Sequence, residues 1–312
     1  DDTLQIQSGR LLAPRVIPRQ MNNKRIICVW DVAGTRAQQM DVFVAMLLPL
    51  AVVVIMFSLG LGLTPADFRR IAQRPRAFCI GALNQIVLLA IIASVVIRVF
   101  GYAAETAVGI MILAACPGGA VSNLITKLAN WDVALSVTLT ATFSLTCVVT
   151  IPIILDFAVT HFMGTSAPDV DIKSTAITAF LLTALPITLG VLLRAAAPTA
   201  TAAMAPALAK VAVVLFVGVI MGAIAANWQV VTDNIARLGL GLFSLVAALS
   251  IIGFLVSRLL RSSDREAKTI AIETGVQNGA LVRAIAGVLV AEGPVFNAYA
   301  IPAALFSVVW LG

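Results

Sequence analysis

The chain has 312 residues, of which 60% are hydrophobic and only 12% are charged. Soluble domains are about 45–50% apolar and about 25% charged, so this composition excludes an ordinary soluble domain and predicts an all-α polytopic membrane protein in the lipid bilayer. The net charge of +6 does not indicate a nucleic-acid partner, because Lys and Arg collect in the cytoplasmic loops of membrane proteins.

The chain opens with a polar, basic leader, residues 1–40, for which no role is predicted. About nine transmembrane helices are expected after it, because nine apolar runs approach the roughly 20 residues that a spanning helix needs. The runs cover residues 42–63, 76–100, 105–128, 132–159, 174–194, 204–226, 235–257, 269–291 and 295–312. The last run is short, so we expect its helix to be truncated in this sequence.

The basic residues of the links between the runs predict an orientation. The links on one side of the predicted bilayer carry eleven Lys and Arg, and those on the other side carry three. Because positive loops stay on the cytoplasmic side, the links at 67–76 and 257–268 are expected there. Nine spans then place the leader outside, so either the leader is translocated or a first helix is missing.

Two runs contain signals that interrupt a helix at mid-depth. In the third run, "CPGGAVSN" carries Pro117, which removes a backbone donor and clashes with the preceding turn, and two glycines follow it. In the eighth run, "IETGVQNG" holds Glu273, Gln277 and Asn278 between small residues. Backbone freed from helical pairing cannot face lipid, so both breaks are expected to line a polar cavity inside the protein.

The positions of the breaks predict an internal repeat. The broken run is the third of four in the first half and the fourth of five in the second half. If one helix is missing at the N-terminus, restoring it makes the broken run the fourth of five in both halves. Interrupted spans in corresponding places indicate an inverted-repeat secondary transporter. We therefore expect residues 41–160 to form a first repeat lacking its first helix, and residues 173–312 to form the second.

The polar residues of the apolar runs are oxygen ligands. An ionised residue at the centre of a spanning helix costs about 2.5–3.5 kcal/mol, so Glu273 indicates a function and needs a cation. An all-oxygen site with one carboxylate suits a hard cation, and the single charge favours Na⁺. The oxygen donors are Gln85, Ser122, Asn123, Ser136, Thr140, Glu273 and Gln277. The alternatives are a bond to the helix's own carbonyl groups for the hydroxyls and an interhelical bond for Gln85.

Four stretches resemble the bile acid:sodium symporter family, in the family's order and spacing. They are "GLTPADF", "RPRAFCIGALNQ", "CPGGAVSNLITKLANWDVALSVTLT" and "AIETGVQNGAL". The resemblance covers about residues 55–310. It implies two inverted repeats in which the two broken helices cross, and a bacterial member located in the inner (plasma) membrane.

The resemblance also implies what the site residues bind. The expected cargo is two Na⁺ ions and one small organic anion. The first Na⁺ site would use Ser122, Asn123, Ser136, Thr140 and Glu273. The second would use Gln85, Glu273 and Gln277 with the carbonyl groups of Thr274 and Val276. The anion would bind near the half-helix N-termini, whose positive ends favour it, and the candidates there are Gly119, Ala120 and Asn278.

Arg283 departs from the family pattern, which has a small apolar residue there. It could bind a substrate carboxylate or sulfonate, extend from the span end to the interface, or pair with an acid elsewhere. Ala120 and Gly279 also stand where the family often has hydroxyl residues. Because these departures surround the expected anion site, bile acids, keto or hydroxy acids, and sulfonates all stay open as substrates.

Two other functions stay open at this point. A proton-coupled organic anion transporter would use Glu273 as a proton carrier. A non-transporting membrane sensor is compatible with the incomplete ends. An enzyme is not expected, since the sequence has neither an HExxH nor a GxSxG motif and its single histidine, His161, lies at a span end.

Overall fold

The computed structural model describes two compact units, 1–43 and 44–312. The described residues are 16–21, 25–30, 32–64, 66, 67, 69, 73, 75–166, 170–226, 228–289 and 297–311. In the first unit, strands β1 (Val16–Met21) and β2 (Arg25–Trp30) pair antiparallel, with Val16 opposite Trp30. The regular elements described from residue 44 onward are all helical.

The helices follow the apolar runs of the sequence. They are α1 (Val32–Gly62), α2 (Pro75–Ala82), a π-helical turn (Leu83–Leu88), α3 (Leu89–Phe100), α4 (Ala104–Ala115), α5 (Ala120–Leu128), α6 (Val133–Met163), a 3-10 turn (Gly164–Ser166), α7 (Ile172–Ala179), a π-helical turn (Phe180–Ala184), α8 (Leu185–Ala196), α9 (Pro198–Ala226), α10 (Trp228–Leu259), α11 (Asp264–Gly275), α12 (Gly279–Leu289) and α13 (Ile301–Leu311).

Five helical stretches in the described residues are long and apolar enough to cross a membrane. They are Pro75–Phe100, Val133–Met163, Ile172–Ala196, Pro198–Leu215 and Trp228–Leu259, and Leu47–Gly62 and Ala104–Ala115 are shorter apolar helices. A helical, polytopic membrane protein is thus confirmed. The count of nine spans and the two inverted repeats stay predictions.

One helix begins earlier than its apolar run predicts. Helix α1 starts at Val32, ten residues before the run at 42–63. The intervening residues include Ala, Arg, Gln and Met, which favour helix without being uniformly apolar. Hydropathy therefore locates the part of a helix suited to lipid, and intrinsic propensity extends the helix beyond it.

Two helices that contribute residues to the site described below, α6 and α11, begin at polar caps. Asp132 caps α6, with its Oδ1 accepting a bond from the Leu135 amide at 3.1 Å. Ser263 and Glu266 form a reciprocal capping box at the start of α11, in which the Ser263 amide donates to Glu266 over 2.9 Å. These caps satisfy amides that have no partner within their helix, and they fix where α6 and α11 begin.

Apolar side chains occupy both the interior and the outer faces of the second unit. Helix α10 buries Leu238, Leu242, Leu245 and Leu249, whereas its other side exposes a stripe at Leu240, Phe243, Ile251 and Leu255. Such a stripe would be a liability in water, but it suits a helix whose outer face contacts lipid chains. The exposed faces therefore agree with a membrane location.

Two glycines let α1 and α8 approach closely. A methyl group added at Gly60 would lie 3.0 Å from backbone carbons of Ile187, and one added at Gly190 would lie 2.5 Å from the Phe57 carbonyl oxygen. Small residues at helix crossings allow backbones to come into contact, which is the main source of packing energy between helices in lipid. The pair Gly60 and Gly190 thus forms the crossing point of α1 and α8.

We expect Gly60→Leu to destabilise the protein by about 1–3 kcal/mol, since the new side chain has to push two backbones apart. Gly62→Leu is the matched control, because a side chain at Gly62 would meet nothing within 4 Å. The measurement is the thermal unfolding midpoint of each variant in detergent. Equal midpoints for the two variants would contradict the crossing.

Candidate functional site

The first helix break lies between α4 and α5. Helix α4 ends at Ala115, Cys116 is extended with φ −76° and ψ 145°, and Gly119 is extended with φ −130° and ψ −172°. Pro117 removes one backbone donor, and the two glycines that follow it lower the helix propensity further, so this segment disfavours a continuous helix. The interruption is therefore where the sequence predicts it.

The second break lies between α11 and α12. Helix α11 ends at Gly275, Val276 is extended with φ −115° and ψ 106°, and α12 begins at Gly279. Asn278 caps the new helix, with its Oδ1 accepting from the Leu281 amide at 3.1 Å. Its side chain thus has a structural task that the sequence analysis did not assign to it.

The two breaks touch each other. The backbone amide of Asn278 donates to the Pro117 carbonyl oxygen at 3.0 Å. Gln85, from the π-helical turn after α2, donates from Nε2 to the Cys116 carbonyl at 2.9 Å and to Gln277 Oε1 at 3.1 Å. Backbone groups released by the breaks are thus satisfied inside the protein, as a membrane interior requires.

A buried carboxylate lies at this junction. Glu273, on the last turn of α11, is 2% exposed. Its Oε2 accepts from Ser136 Oγ at 3.0 Å and its Oε1 accepts from Thr140 Oγ1. Ser136 and Thr140 are one turn apart on α6, so one face of that helix supplies both hydroxyls.

Asn123 and Ser122, from the first turn of α5, complete an oxygen cluster around the carboxylate. Asn123 Oδ1 lies 2.8 Å from Ser136 Oγ and 3.4 Å from Thr140 Oγ1. Ser122 donates to the Gly119 carbonyl at 2.7 Å. The structure thus brings together all five side chains predicted for the first cation site.

The cluster has more acceptor oxygens than protons to share among them. The two hydroxyl protons of Ser136 and Thr140 face both carboxylate oxygens of Glu273 and the amide oxygen of Asn123. The ion pair found in the described residues, Lys268 with Asp264, does not involve Glu273. A hard cation would supply the missing positive charge, and hydroxyl, amide and carboxylate oxygens are its preferred ligands.

The chemistry of the cluster does not suit a transition metal. The described residues contain no group of three or more His, Cys, Asp or Glu side chains that could hold a metal ion. With one carboxylate and otherwise neutral oxygens, the donor set fits a weakly bound monovalent ion better than Ca²⁺ or Zn²⁺.

Gly118 makes room for the carboxylate. A Cβ atom at Gly118 would collide with Glu273 Oε1 and lie 2.9 Å from the carboxyl carbon. The sequence did not indicate this role for Gly118, because contact between distant residues leaves no local pattern. At the neighbouring Gly119 a Cβ would meet only Asn278 Cβ, at a comfortable 3.9 Å.

The residues predicted for a second cation site are only partly linked by contacts. Gln277 Nε2 donates to the Thr274 carbonyl at 2.8 Å, and Gln277 Oε1 accepts from Gln85. Gln85 Oε1 is buried, and no hydrogen-bond partner for it occurs among the described residues. Val276 lies in the extended segment beside them. The hydrogen bonds described for these residues do not reach Glu273.

Asn84 contributes to the junction, although the sequence analysis singled out only its neighbour Gln85. Asn84 is fully buried, and its Nδ2 donates to the Gly253 carbonyl of α10 at 3.2 Å. The bond ties the π-helical turn to α10. The sequence signal that could have identified Asn84 is a second amide side chain within an apolar run. The π-helical turn that carries it is a feature frequent at functional sites.

Of the four predicted anion-binding residues, Gly119 and Asn278 face each other across the junction. Ala120 begins α5, and its side chain lies outside the described part of the chain. Arg283 is 2% exposed, so its side chain does not extend to the membrane surface as one interpretation proposed. Its Nε donates to the Gly279 carbonyl at 3.3 Å.

The fold and the joined breaks define a helical integral membrane protein with a polar centre. A model of the sodium bile acid symporter family matches residues 49–234, which is more than half of the chain. The chain therefore belongs to the sodium bile acid symporter family, whose members are transporters and not enzymes.

Three relatives illustrate the similarity. An uncharacterized sodium-dependent transporter, YocS, of Bacillus subtilis is 28% identical over 90% of this chain and 85% of its own length. A probable chloroplastic sodium/metabolite cotransporter, BASS2, of Oryza sativa is 27% identical over 73% of this chain and 53% of its own length. The ileal sodium/bile acid cotransporter of Oryctolagus cuniculus is 25% identical over 79% of this chain and 70% of its own length. The chain thus spans just over half of the rice protein.

The contact between Gly118 and Glu273 yields a test of the site's geometry. Gly118→Ala is expected to destabilise the protein by about 1–3 kcal/mol, since the methyl group has to displace the carboxylate. Gly119→Ala is the matched control and should leave the thermal midpoint within about 1 °C or raise it, because its site is open and alanine restricts the unfolded chain. A Gly118→Ala midpoint equal to that of the control would place the carboxylate elsewhere.

Proposed function

We propose that the protein is a sodium-coupled secondary symporter of an organic anion that works by alternating access. The observation that carries the proposal is the meeting of two interrupted helices at a buried carboxylate ringed by uncharged oxygen donors. The sodium-dependent relatives support the choice of ion. The Bacillus relative supports a bacterial plasma membrane.

The first sodium ion binds the oxygen cluster around Glu273. The ligands are Ser122, Asn123, Ser136, Thr140 and Glu273, which come from α5, α6 and α11. When sodium enters, the hydroxyl protons turn outward and their oxygens become ligands of the ion. Because the ligands lie on three helices, the bound ion holds these helices in one arrangement.

A second sodium ion binds beside Gln85. Its ligands are Gln85, Glu273 and Gln277 with the carbonyl groups of Thr274 and Val276. Gln85 Oε1 is buried without a hydrogen-bond partner among the described residues, and this supports the assignment, since an acceptor without a partner in a dry interior is costly. Binding requires the Gln277 amide to turn from the Thr274 carbonyl, which frees two further oxygens.

The anion binds at the half-helix N-termini. Helices α5 and α12 start within the junction, and each directs the positive end of its dipole there. The first-turn amides of α5 have no side-chain cap, whereas the Gly279 and Leu281 amides of α12 already have acceptors. Gly119, Ala120 and Asn278 line this position. Sodium orders the crossing first, and the ordered crossing then presents these amides to the anion.

The chain is organised as two repeats that move relative to each other. Residues 41–160 form the first repeat and residues 173–312 the second, and each contributes one interrupted helix to the junction. In transporters with this organisation, the site stays near the bilayer midplane while one part rocks against the other.

The number of sodium ions decides how strongly the anion is concentrated. One ion entering down a tenfold gradient and a 100 mV potential provides about 3.7 kcal/mol. A monoanion entering against that potential costs about 2.3 kcal/mol. With one sodium ion about 1.4 kcal/mol then remains to concentrate the anion, which supports a tenfold anion gradient. With two sodium ions about 5 kcal/mol remains, which supports an anion gradient of several thousandfold. The second site thus makes uptake strongly concentrative.

Glu273→Gln tests the first site and the coupling ion together. The variant keeps the shape of the side chain but removes its charge, so we expect the sodium concentration for half-maximal stabilisation to rise more than tenfold and sodium-driven uptake to be lost. Glu105→Gln, which changes an exposed carboxylate on α4, is the control. Uptake that follows pH and ignores sodium would contradict the proposal and make Glu273 a proton carrier.

Gln85→Ala tests the second site. We expect the Hill coefficient for sodium, measured by stabilisation or uptake, to fall toward 1 while one sodium ion still binds. Asn84→Ala is the matched control, since it also removes a buried amide but one directed at α10. Undiminished cooperativity in Gln85→Ala, or an equal loss in both variants, would count against the second site.

A further inference from the structure

Arg283 is a charged side chain buried in an apolar part of the second broken helix. It lies one turn after the start of α12, with Val282, Ile285 and Ala286 around it, all with no exposure. Within the described part of the chain its Nε has one hydrogen-bond partner, the Gly279 carbonyl. Both terminal groups, Nη1 and Nη2, are buried without a partner among the described residues.

The direction of the side chain brings the guanidinium back toward the helix break. Side chains on a helix lean toward its N-terminus, and the bond from Nε to the Gly279 carbonyl, four residues earlier, shows that Arg283 does so. This bond directs the guanidinium back along α12, toward the break from which the helix starts.

A cation is electrostatically misplaced at this end of a helix. The N-terminus of α12 carries the positive end of the helix dipole, which favours anions and disfavours a guanidinium. None of the described carboxylates, Glu273 included, forms an ion pair with Arg283. Helices α4, α7 and α13 pack against α12, and the acids on them, Glu105 of α4 and the α7 cap Asp171, are exposed at the surface.

We propose that Arg283 binds the oxyanion head of the transported substrate, through two parallel hydrogen bonds from Nη1 and Nη2 to a carboxylate or sulfonate. This rests on the proposed function and narrows it to organic acids with an accessible, unesterified oxyanion. The same anion neutralises the guanidinium and the helix terminus, which explains how an unpaired charge is tolerated beside the junction. Arginine suits this task because its planar fork matches two oxygens of one acid group.

The experiment measures anion binding by thermal unfolding of the purified protein in a neutral, phosphate-free detergent at constant chloride. The probes are cholate, taurocholate, 2-oxobutyrate, lactate and isethionate, each titrated with and without sodium, and lactamide is the uncharged control. The variants are Arg283→Leu, Arg283→Lys and, as a matched control, Arg98→Leu, which removes an exposed arginine at the end of α3.

We expect at least one acid to stabilise the wild type, and Arg283→Leu to weaken its apparent affinity by tenfold or more. Arg283→Lys should be intermediate, because it keeps the charge and loses the fork. Without any organic acid, Arg283→Leu should unfold at a higher temperature than the wild type, since it no longer buries an unpaired charge. Arg98→Leu should match the wild type, and lactamide should stabilise none of the proteins.

Affinities of the wild type and Arg283→Leu within threefold of each other overturn the proposal. So does a wild type that responds to sodium but to none of the acids. Phosphatidylglycerol added alone is a separate arm, and a shift with this lipid that depends on Arg283 would assign the guanidinium to lipid phosphate instead. If the acids stabilise the wild type but sodium has no effect, the sodium proposal is overturned. The ratio of anion affinities between the wild type and Arg283→Leu still decides the role of Arg283.

Discussion

The site depends on one contact, the packing of the Glu273 carboxylate directly against the backbone of Gly118. A negative charge with 2% exposure is costly unless it is neutralised and hydrogen bonded. Two hydroxyls of α6, those of Ser136 and Thr140, supply hydrogen bonds to it, and Asn123 of α5 adds a further oxygen beside them. Since Gly118 has no side chain, a carboxylate carried by α11 can reach the broken backbone between α4 and α5.

Interrupting two helices inside a membrane protein creates backbone groups that lipid cannot satisfy. Here each break satisfies the other, through the bond between the Asn278 amide and the Pro117 carbonyl, and Gln85 satisfies the Cys116 carbonyl. The two breaks are thus interdependent, because removing either would leave unpaired groups in the other. That mutual dependence allows an ion bound at one break to affect the shape of the other.

The parts of the site that the sequence predicted are those with a local signal. Proline with two glycines locates the first break, and Glu273 with Gln277 in an apolar run locates the second, because both are unusual within a spanning helix. Three other features could be found only by knowing which distant segments meet. They are the contact of Gly118 with the carboxylate, the cap formed by Asn278 and the bond from Asn84 to α10. Those pairings depend on tertiary packing, which no spacing within one run encodes.

Two buried charges determine where the membrane potential acts in the proposed cycle. Of the described residues, Glu273 and Arg283 are the charged side chains that are buried, and their two charges cancel in the carrier without cargo. Two sodium ions and one monoanion bring it to +1, and each charge moved through 100 mV is worth about 2.3 kcal/mol. With an apolar residue at 283, the summed charge of the buried groups would be −1 in the empty carrier and zero in the loaded carrier. The membrane potential would then act on the return of the empty carrier. In the proposed cycle, arginine at 283 would thus transfer the voltage-dependent movement to the loaded carrier, where the potential would drive uptake directly.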